Sequence, residues 1–344
     1  MGELSITEFL CNIDNMGYNI LQHGKRRTDM ERYGFGIDLG GTTCKLGLFQ
    51  EDGTLEEKWE IPTDTTDNGV HILPDIAASV EEKILQHGFA KEQIIGAGIG
   101  VPGAVNDEGI VNRCINLGWG IIPVSKELSS LLGVPVFAAN DANVAALGEA
   151  WKGSGSGYSS IAMITLGTGI GGGVVLGGQL VNGFHGAAGE LGHIVVNPEE
   201  PDACNCGNHG CIEQYASATG IVRQAKKRLA ESKQESVLRK ETDLTAKCVF
   251  DAAKAGDPLA KRIAEEVCSM LGRVIGTVCN VINPEAVIIG GGVSRAGDIL
   301  LDLVQEGFQN SVFHASRETE IRLASLGNDA GIFGAMKLLL NKDK

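Results

Sequence analysis

Apolar and polar positions alternate from Tyr33 onward in "YGFGIDLGGTTCKLGLFQEDGTLEEKWEI", with a Gly-Gly break after Leu39 and an Asp-Gly turn at 52–53. Period-two alternation broken by turn residues predicts three strands, so the chain opens as an antiparallel sheet. Residues 69–88 switch to helical spacing, and "QIIGAGIGVPG" (93–103) reads as a buried strand. The stretch around Ser125 reads as a helix, and "GVPVFAA" (133–139) as a second buried strand. Residues 140–153 form a helix that opens on polar residues and closes on glycine. After the flexible "GSGSGYSS", "IAMITLGTGIGGGVVLGGQL" repeats the opening pattern of strand, Gly/Thr turn and strand. Setting "IDLGGT" (37–42) against "ITLGTG" (164–169) suggests a duplication, hence two α/β lobes facing each other across a cleft. Long helices follow around 249–282, then a strand "AVIIGGG", a helix near 297–310, a strand "IRLAS" and a last helix at 329–341.

Length agrees with two lobes, because 344 residues exceed what one core usually serves, about 250–300. No apolar run approaches the ~18–20 residues of a membrane helix, so no membrane partner is expected. A net charge of −14 works against nucleic acid, whose phosphates need clustered Lys and Arg. The 48 glycines cluster behind apolar runs, which places them at strand ends rather than in disordered tracts. Six cysteines (Cys11, Cys44, Cys114, Cys248, Cys268, Cys279) are scattered singly, and no secretory signal precedes them, so a reducing cytoplasm is expected. Residues 1–33 read as an extension in which "SITEFLCNI" has the spacing of a short amphipathic helix; translation beginning at Met30 is the other reading.

Two stretches match G-x-G-x-x-G, at Gly98, Gly100, Gly103 and at Gly167, Gly169, Gly172. Neither opens a helix, as a dinucleotide fingerprint must, and no G-x-x-x-x-G-K-[ST] is present. A Gly/Thr-rich hairpin between strands still exposes backbone N–H groups, and two such hairpins from two lobes can hold a polyphosphate between them. Asp38 would then serve Mg²⁺ as an oxygen ligand or hold its water; the plain alternative is a tight turn with Asp38 as its cap. At the strand-to-helix junction, Asn140 and Asp141 read equally as a helix cap or as cleft residues, with the carboxylate placed to accept a hydroxyl proton.

In "CNCGNHGCIE" (204–213), Cys204 and Cys206 are one residue apart, too close for an unstrained disulfide, and the C-x-x-C spacing of redox motifs is absent. Three thiols in one glycine-bearing loop suit zinc, which needs a fourth ligand from either His193 or His209.

"GELGH" (189–193) followed by "CNCGNHGCIE" resembles the paired signature of the ROK family of sugar kinases and regulators. "DLGGT" (38–42), "GVPGAV" (100–105), "NDANVAALGE" (140–149), "LGTGIGGG" (166–173) and "GGGVS" (290–294) resemble its other landmarks in order, and "INLGW" (115–119) resembles the glucokinase branch. The resemblance implies a two-lobe hexokinase/actin-like fold and transfer of the γ-phosphate of ATP to a hexose hydroxyl. It implies Asp141 as general base, with Asn140, Glu190, His193, Glu213 and Gly103 around the sugar. Asp38, Gly40, Gly41, Thr42 and Lys45 would serve Mg²⁺ and phosphate from one lobe, and Gly167, Thr168 and Gly169 from the other. Gly291 and Gly292 would border the adenosine. Zinc would be held by His193, Cys204, Cys206 and Cys211, as a structural metal. Residues 34–139 would form one lobe, joined by the C-terminal helix (329–344), and 140–328 the lobe carrying the zinc loop. The expected protein is a cytoplasmic glucose kinase, a homodimer whose partners are sugar and ATP. The alternatives are a kinase for N-acetylhexosamine, mannose or fructose, and a sugar-sensing regulator without turnover; residues 1–33 are too short and too weakly basic for the DNA-binding module of such a regulator.

Overall fold

The computed structural model describes residues 31–342. The expected short helix at 5–13 and the Met30 start lie outside the described residues. The first sheet holds β1 (Tyr33–Leu39), β2 (Thr43–Gln50), β3 (Leu55–Pro62), β4 (Ile94–Val101) and β5 (Val136–Asn140), in the order β3-β2-β1-β4-β5. β1, β2 and β3 pair antiparallel, while β4 and β5 run parallel to β1. Its helices are α1 (Ile72–His87) and α2 (Val124–Leu132), and α3 (Asp141–Lys152) follows β5 directly.

The second sheet repeats this plan. β6 (Ile161–Leu166), β7 (Ile170–Leu176) and β8 (Gln179–Leu180) are antiparallel, and β9 (Ala286–Gly290) and β10 (Glu320–Leu323) run parallel to β6, in the order β10-β9-β6-β7-β8. The identical topology matches the duplication read from the two Leu-Gly turns. Between β8 and β9 come α4 (Glu213–Ala216), α5 (Ala218–Glu231), α6 (Ala246–Lys254) and α7 (Pro258–Ile282), followed by α8 (Asp298–Gln309) and α9 (Ala330–Lys342). The helical pattern around 249–282 is two helices, parted at Gly256 and restarted by Asp257, whose carboxylate caps the amides of Leu259 and Ala260 ahead of Pro258 at the first helical position.

Each sheet buries its own apolar face. Phe35, Ile37, Leu46 and Ile99 pack with α1 and α2, and Ile164, Val287 and Ile289 pack with α5 to α8. Helices α3 and α9 join the two halves: Val144 and Leu147 share a buried cluster with Ile161, Met163 and Ile288 of the second sheet and with Ala335 and Leu338 of α9. α9 in turn lies on the first sheet, where a Cβ on Gly36 or Gly98 would stand 2.0 Å from Ile332 O or 1.8 Å from Ala335 O. Only glycine permits that backbone-to-backbone approach. The cleft between the sheets is therefore floored by two helices belonging to both.

Candidate active site

Carboxylates, amides and glycine turns from both sheets meet in a cavity of about 580 Å³. Asp38 at the end of β1, Asn140 and Asp141 at the β5–α3 junction, Glu190, Glu213, Gly103, Gly167, Gly169 and Gly291 all line it. Parallel strands that stop at one level and turn directly into a helix deliver side chains to the space beyond their carboxyl ends, which is why the β5–α3 junction opens into the cleft.

Asn140 is the helix cap. Its Oδ1 accepts from the Asn143 N–H at 3.1 Å, and its Nδ2 donates to Gly103 O at 3.0 Å. Asp141 is thereby freed from capping and occupies the first helical position, where its Oδ1 accepts from the Ala142 N–H at 2.7 Å. Burial pushes its pKa up to about 6, opposed by the Ala142 amide and reinforced by the negative charges of Asp38 and Glu190. Asp38 is raised as well, by burial, with Lys45 opposite it on β2 pulling the other way. Two acids pushed toward neutrality in one polar cleft mark a site prepared for proton and cation chemistry.

The Gly40–Thr42 turn is braced from β3: Gly40 N–H donates to Thr43 O, and the Thr63 hydroxyl donates to Gly40 O at 2.8 Å. The matching turn at Gly167–Gly169 is tied to the start of α5, where Ala218 N–H donates to Gly167 O at 2.9 Å and the Thr219 hydroxyl to Thr168 O at 2.7 Å. Gly40, Gly41, Thr42, Lys45, Thr168, His193 and Gly292 stand outside the lining of the main cavity. Lys45 Nζ donates to Asn328 O at 3.4 Å. Gly292 lines a neighbouring cavity of about 340 Å³ and Thr168 another of about 650 Å³, and these two share Ala218, Thr245 and Ala246. The Gly167–Gly169 and Gly290–Gly292 turns thus separate the cleft from a paired hollow against α5 and α6.

Beside Glu190, His193, Cys204, Cys206 and Cys211 bring their ligand atoms within 4.8 Å of one another. Cys206 Sγ lies 3.6 Å from Cys211 Sγ, close to the roughly 3.7 Å edge of a tetrahedron with ~2.3 Å metal–sulfur bonds. His193 turns Nδ1 toward Cys204 Sγ, 3.8 Å away, and Nε2 toward Glu190 Oε2, also 3.8 Å away. His209 is excluded from the set; its Nδ1 faces Glu200 O at 2.9 Å. The donor chemistry and spacing fit zinc. Glu213 is the joint between this cluster and the cleft: its Oε2 accepts from the Ile170 N–H at 3.0 Å and its Oε1 from the Cys204 thiol at 3.3 Å.

The ROK family model matches residues 34–342, nearly all of the described chain. The chain belongs to the ROK family. It is 43% identical over 310 residues to a glucokinase of Halalkalibacterium halodurans, covering 88% of this chain and 94% of that one. A glucokinase of Thermotoga maritima is 41% identical over 311 residues, covering 88% and 96%. Among solved structures, a ROK family glucokinase from Streptomyces griseus in complex with glucose and AMPPNP superposes with a TM-score of 0.70 at 33% identity, covering 89% of this chain and 98% of that one. As ROK proteins do, this chain has a two-lobe α/β architecture.

Two polar residues that line the cavity, Asn116 and Thr165, were not among the expected site residues, although Asn116 lies within "INLGW". Thr165 had a signal, since it stands in "ITLGTG" where "IDLGGT" has Asp38, and the two face one cavity from opposite sheets. Gly331, in the first turn of α9, had none: a Cβ there would stand 2.4 Å from Asp38 Cγ. Only the folded chain brings positions 38 and 331 together.

Proposed function

We propose that the protein is an ATP-dependent glucose kinase, transferring the γ-phosphoryl group of ATP to the 6-hydroxyl of glucose to give glucose 6-phosphate and ADP. The observation that carries this reading is Asp141, a half-buried carboxyl with a pKa of about 6, held at a helix start in a cleft flanked by two Gly/Thr turns. The relatives named above, glucokinases at 43% and 41% identity, support the same activity.

Asp141 accepts the proton of the 6-hydroxyl as that oxygen attacks phosphorus, and the ionised form is the one that works. Asn140, Glu190, His193 and Glu213 hold the remaining hydroxyls, with Gly103 forming the wall beside Asn140. The amides of Gly41 and Thr42 and of Thr168 and Gly169 face the phosphates from two sides, those of Gly40 and Gly167 being bonded within their own turns, and the hollow beyond Gly291 and Gly292 receives the nucleoside. Mg²⁺, when bound, neutralises charge on the β- and γ-phosphates; Asp38, with Lys45 behind it, is the carboxylate that would hold it or its water. Zinc would be held by His193, Cys204, Cys206 and Cys211 and would supply only rigidity, fixing the direction of His193 and the root of Glu213. Closure would bring residues 34–139, with the C-terminal helix, against 140–328 and exclude water. A cytoplasmic homodimer is the form this family resemblance suggests.

An ADP-release assay with Mg-ATP over glucose, mannose, fructose and N-acetylhexosamines tests the reading. Glucose is expected to give the highest kcat/KM; an acetylated sugar in first place removes the glucose assignment, and silence on every sugar removes the kinase.

Gly331 gives a second test. Alanine is the better helix former by about 1 kcal/mol, which offsets part of the roughly 1–3 kcal/mol that crowding costs, so Gly331→Ala should stay folded and melt within a few degrees of wild type. Its Cβ must nevertheless displace the Asp38 carboxylate. The expected result is a KM for Mg-ATP raised at least ~10-fold, the counterpart of losing about 1.4 kcal/mol, with glucose binding by intrinsic fluorescence little changed. Unchanged ATP kinetics would disconnect Asp38 from the nucleotide.

A further inference from the structure

Asn143 sits on the first turn of α3, two residues past Asp141, and only 2% of its surface is exposed. Its Oδ1 is fully enclosed and has no hydrogen-bond partner. A buried, unpaired amide oxygen destabilises the fold, and an apolar side chain of similar size would avoid that cost. Among the described residues only Asn182 Oδ1 and Arg223 Nη1 share this condition, and both belong to side chains whose other polar atom is paired: Asn182 Nδ2 with Asp107 and Arg223 Nη2 with Glu200 and Asp202.

What Asn143 faces is the turn that leads into Glu190. The place where a Cβ on Gly189 would stand is 3.0 Å from Asn143 Oδ1 and 2.9 Å from Gly172 O of β7. Gly189 has φ of +88°, so the turn is a glycine conformation pressed between α3 and β7. Within the turn the Leu191 N–H donates to Gly189 O at 2.6 Å, and the flanking bonds run from Ala188 N–H to Asn182 O and from His193 N–H to Glu190 O. The N–H of Gly189 is one bond from that Cα, and the N–H of Glu190 follows two bonds beyond it, so a small rotation of the turn presents either one to the waiting oxygen. Asn143 therefore stands between the helix that carries Asp141 and the segment Glu190–His193, touching neither reactant.

We propose that Asn143 is a positioning residue: on sugar binding, its buried Oδ1 accepts a backbone N–H from the Gly189–Glu190 turn, locking the sugar-gripping segment in register with the helix that bears Asp141. The inference rests on the assignment of Glu190 and His193 to the sugar. In the sugar-free form the oxygen is unpaired, and that stored cost is released when the turn closes. Glucose thereby gains affinity from a contact it never touches.

Amide hydrogen exchange on the wild-type protein, with and without saturating glucose, reads the bond directly. Protection of Gly189 or Glu190 should rise at least tenfold with glucose; equal exchange in both states overturns the proposal. Asn143→Leu, close in volume and without the polar oxygen, should keep or raise the melting temperature while raising the KM for glucose at least tenfold and leaving the KM for ATP within twofold. A KM for glucose within twofold of wild type overturns the proposal, as does an equal rise in both KM values. If Asn143→Leu does not fold, the exchange measurement decides alone. Failure of the glucose reading shows itself separately, as a wild-type protein that neither binds nor phosphorylates glucose in the panel.

Discussion

Asp141→Asn should lower kcat by about 10²–10⁴-fold, the usual weight of a positioned general base, while the affinity for glucose changes little. The amide keeps the shape of the carboxyl and can still accept from the Ala142 N–H, so the cleft stays built. The sign of the effect on stability is opposite to that on rate. Asp141 has a folded-state pKa of about 6 against an ordinary 3.8, so the fold favours its neutral form. Its penalty is absent well below pH 4, grows as pH rises from about 4 to 6, and is complete above 6. At pH 7 the ionised carboxyl costs the fold of order 1–3 kcal/mol, because each tenfold change in proton affinity is worth about 1.4 kcal/mol. Removing the charge should therefore raise the melting temperature by a few degrees at pH 7 and leave it unchanged at pH 4. The rate follows the reverse course: kcat/KM of the wild type should fall as pH drops through about 6, because the protonated acid accepts nothing. The residual activity of Asp141→Asn should lack that inflection. A variant with kcat within tenfold of wild type removes Asp141 as the base; a pH profile flat from 5 to 8 removes the buried titration.

Cys206→Ser should cost more than its position warrants. Cys206 is exposed, and a surface substitution away from special features is usually worth within about ±0.5 kcal/mol. If its thiolate closes a tetrahedron with Cys204, Cys211 and His193, its loss instead weakens a metal whose binding stabilises small zinc folds by about 10–16 kcal/mol. The wild type should carry about one zinc per chain by elemental analysis. Cys206→Ser should carry less, melt several degrees lower and lose at least ~10²-fold in kcat/KM for glucose, the scale of a disturbed metal surround. The route is geometric: Glu213 begins α4 two residues past Cys211 and is held over the cleft by the Ile170 amide. A protein stripped of metal that keeps full activity would reduce the cluster to three idle thiols.

The same loop shows where reading a sequence succeeds and where it stops. Three cysteines within eight residues limit the chemistry before any fold is known, because thiolates so close suit few ions and little else. Choosing between His193 and His209 is beyond spacing alone, since both are within reach of a loop. Folding decides it by direction: His193 turns Nδ1 inward, while His209 is held on Glu200 O. The cap at α3 is similar. Sequence leaves Asn140 and Asp141 as equal candidates, and the Asn140 bonds to Asn143 and Gly103 release Asp141 for the cleft.

What the sequence determined by itself was the set of local patterns: the strand alternations, the two Leu-Gly turns that announce a repeated sheet, the ordered motifs that place the chain in its family, and the thiol cluster. Those signals are short-range, written in neighbouring residues by the periods of strand and helix. Folding alone settles which distant positions share one space. Asp38 against Gly331, Thr165 across from Asp38, and Asn143 under Gly189 are contacts between backbones and side chains far apart along the chain. No local period encodes them. They arise because α3 and α9 pack between two twisted sheets closely enough that some positions admit no side chain at all.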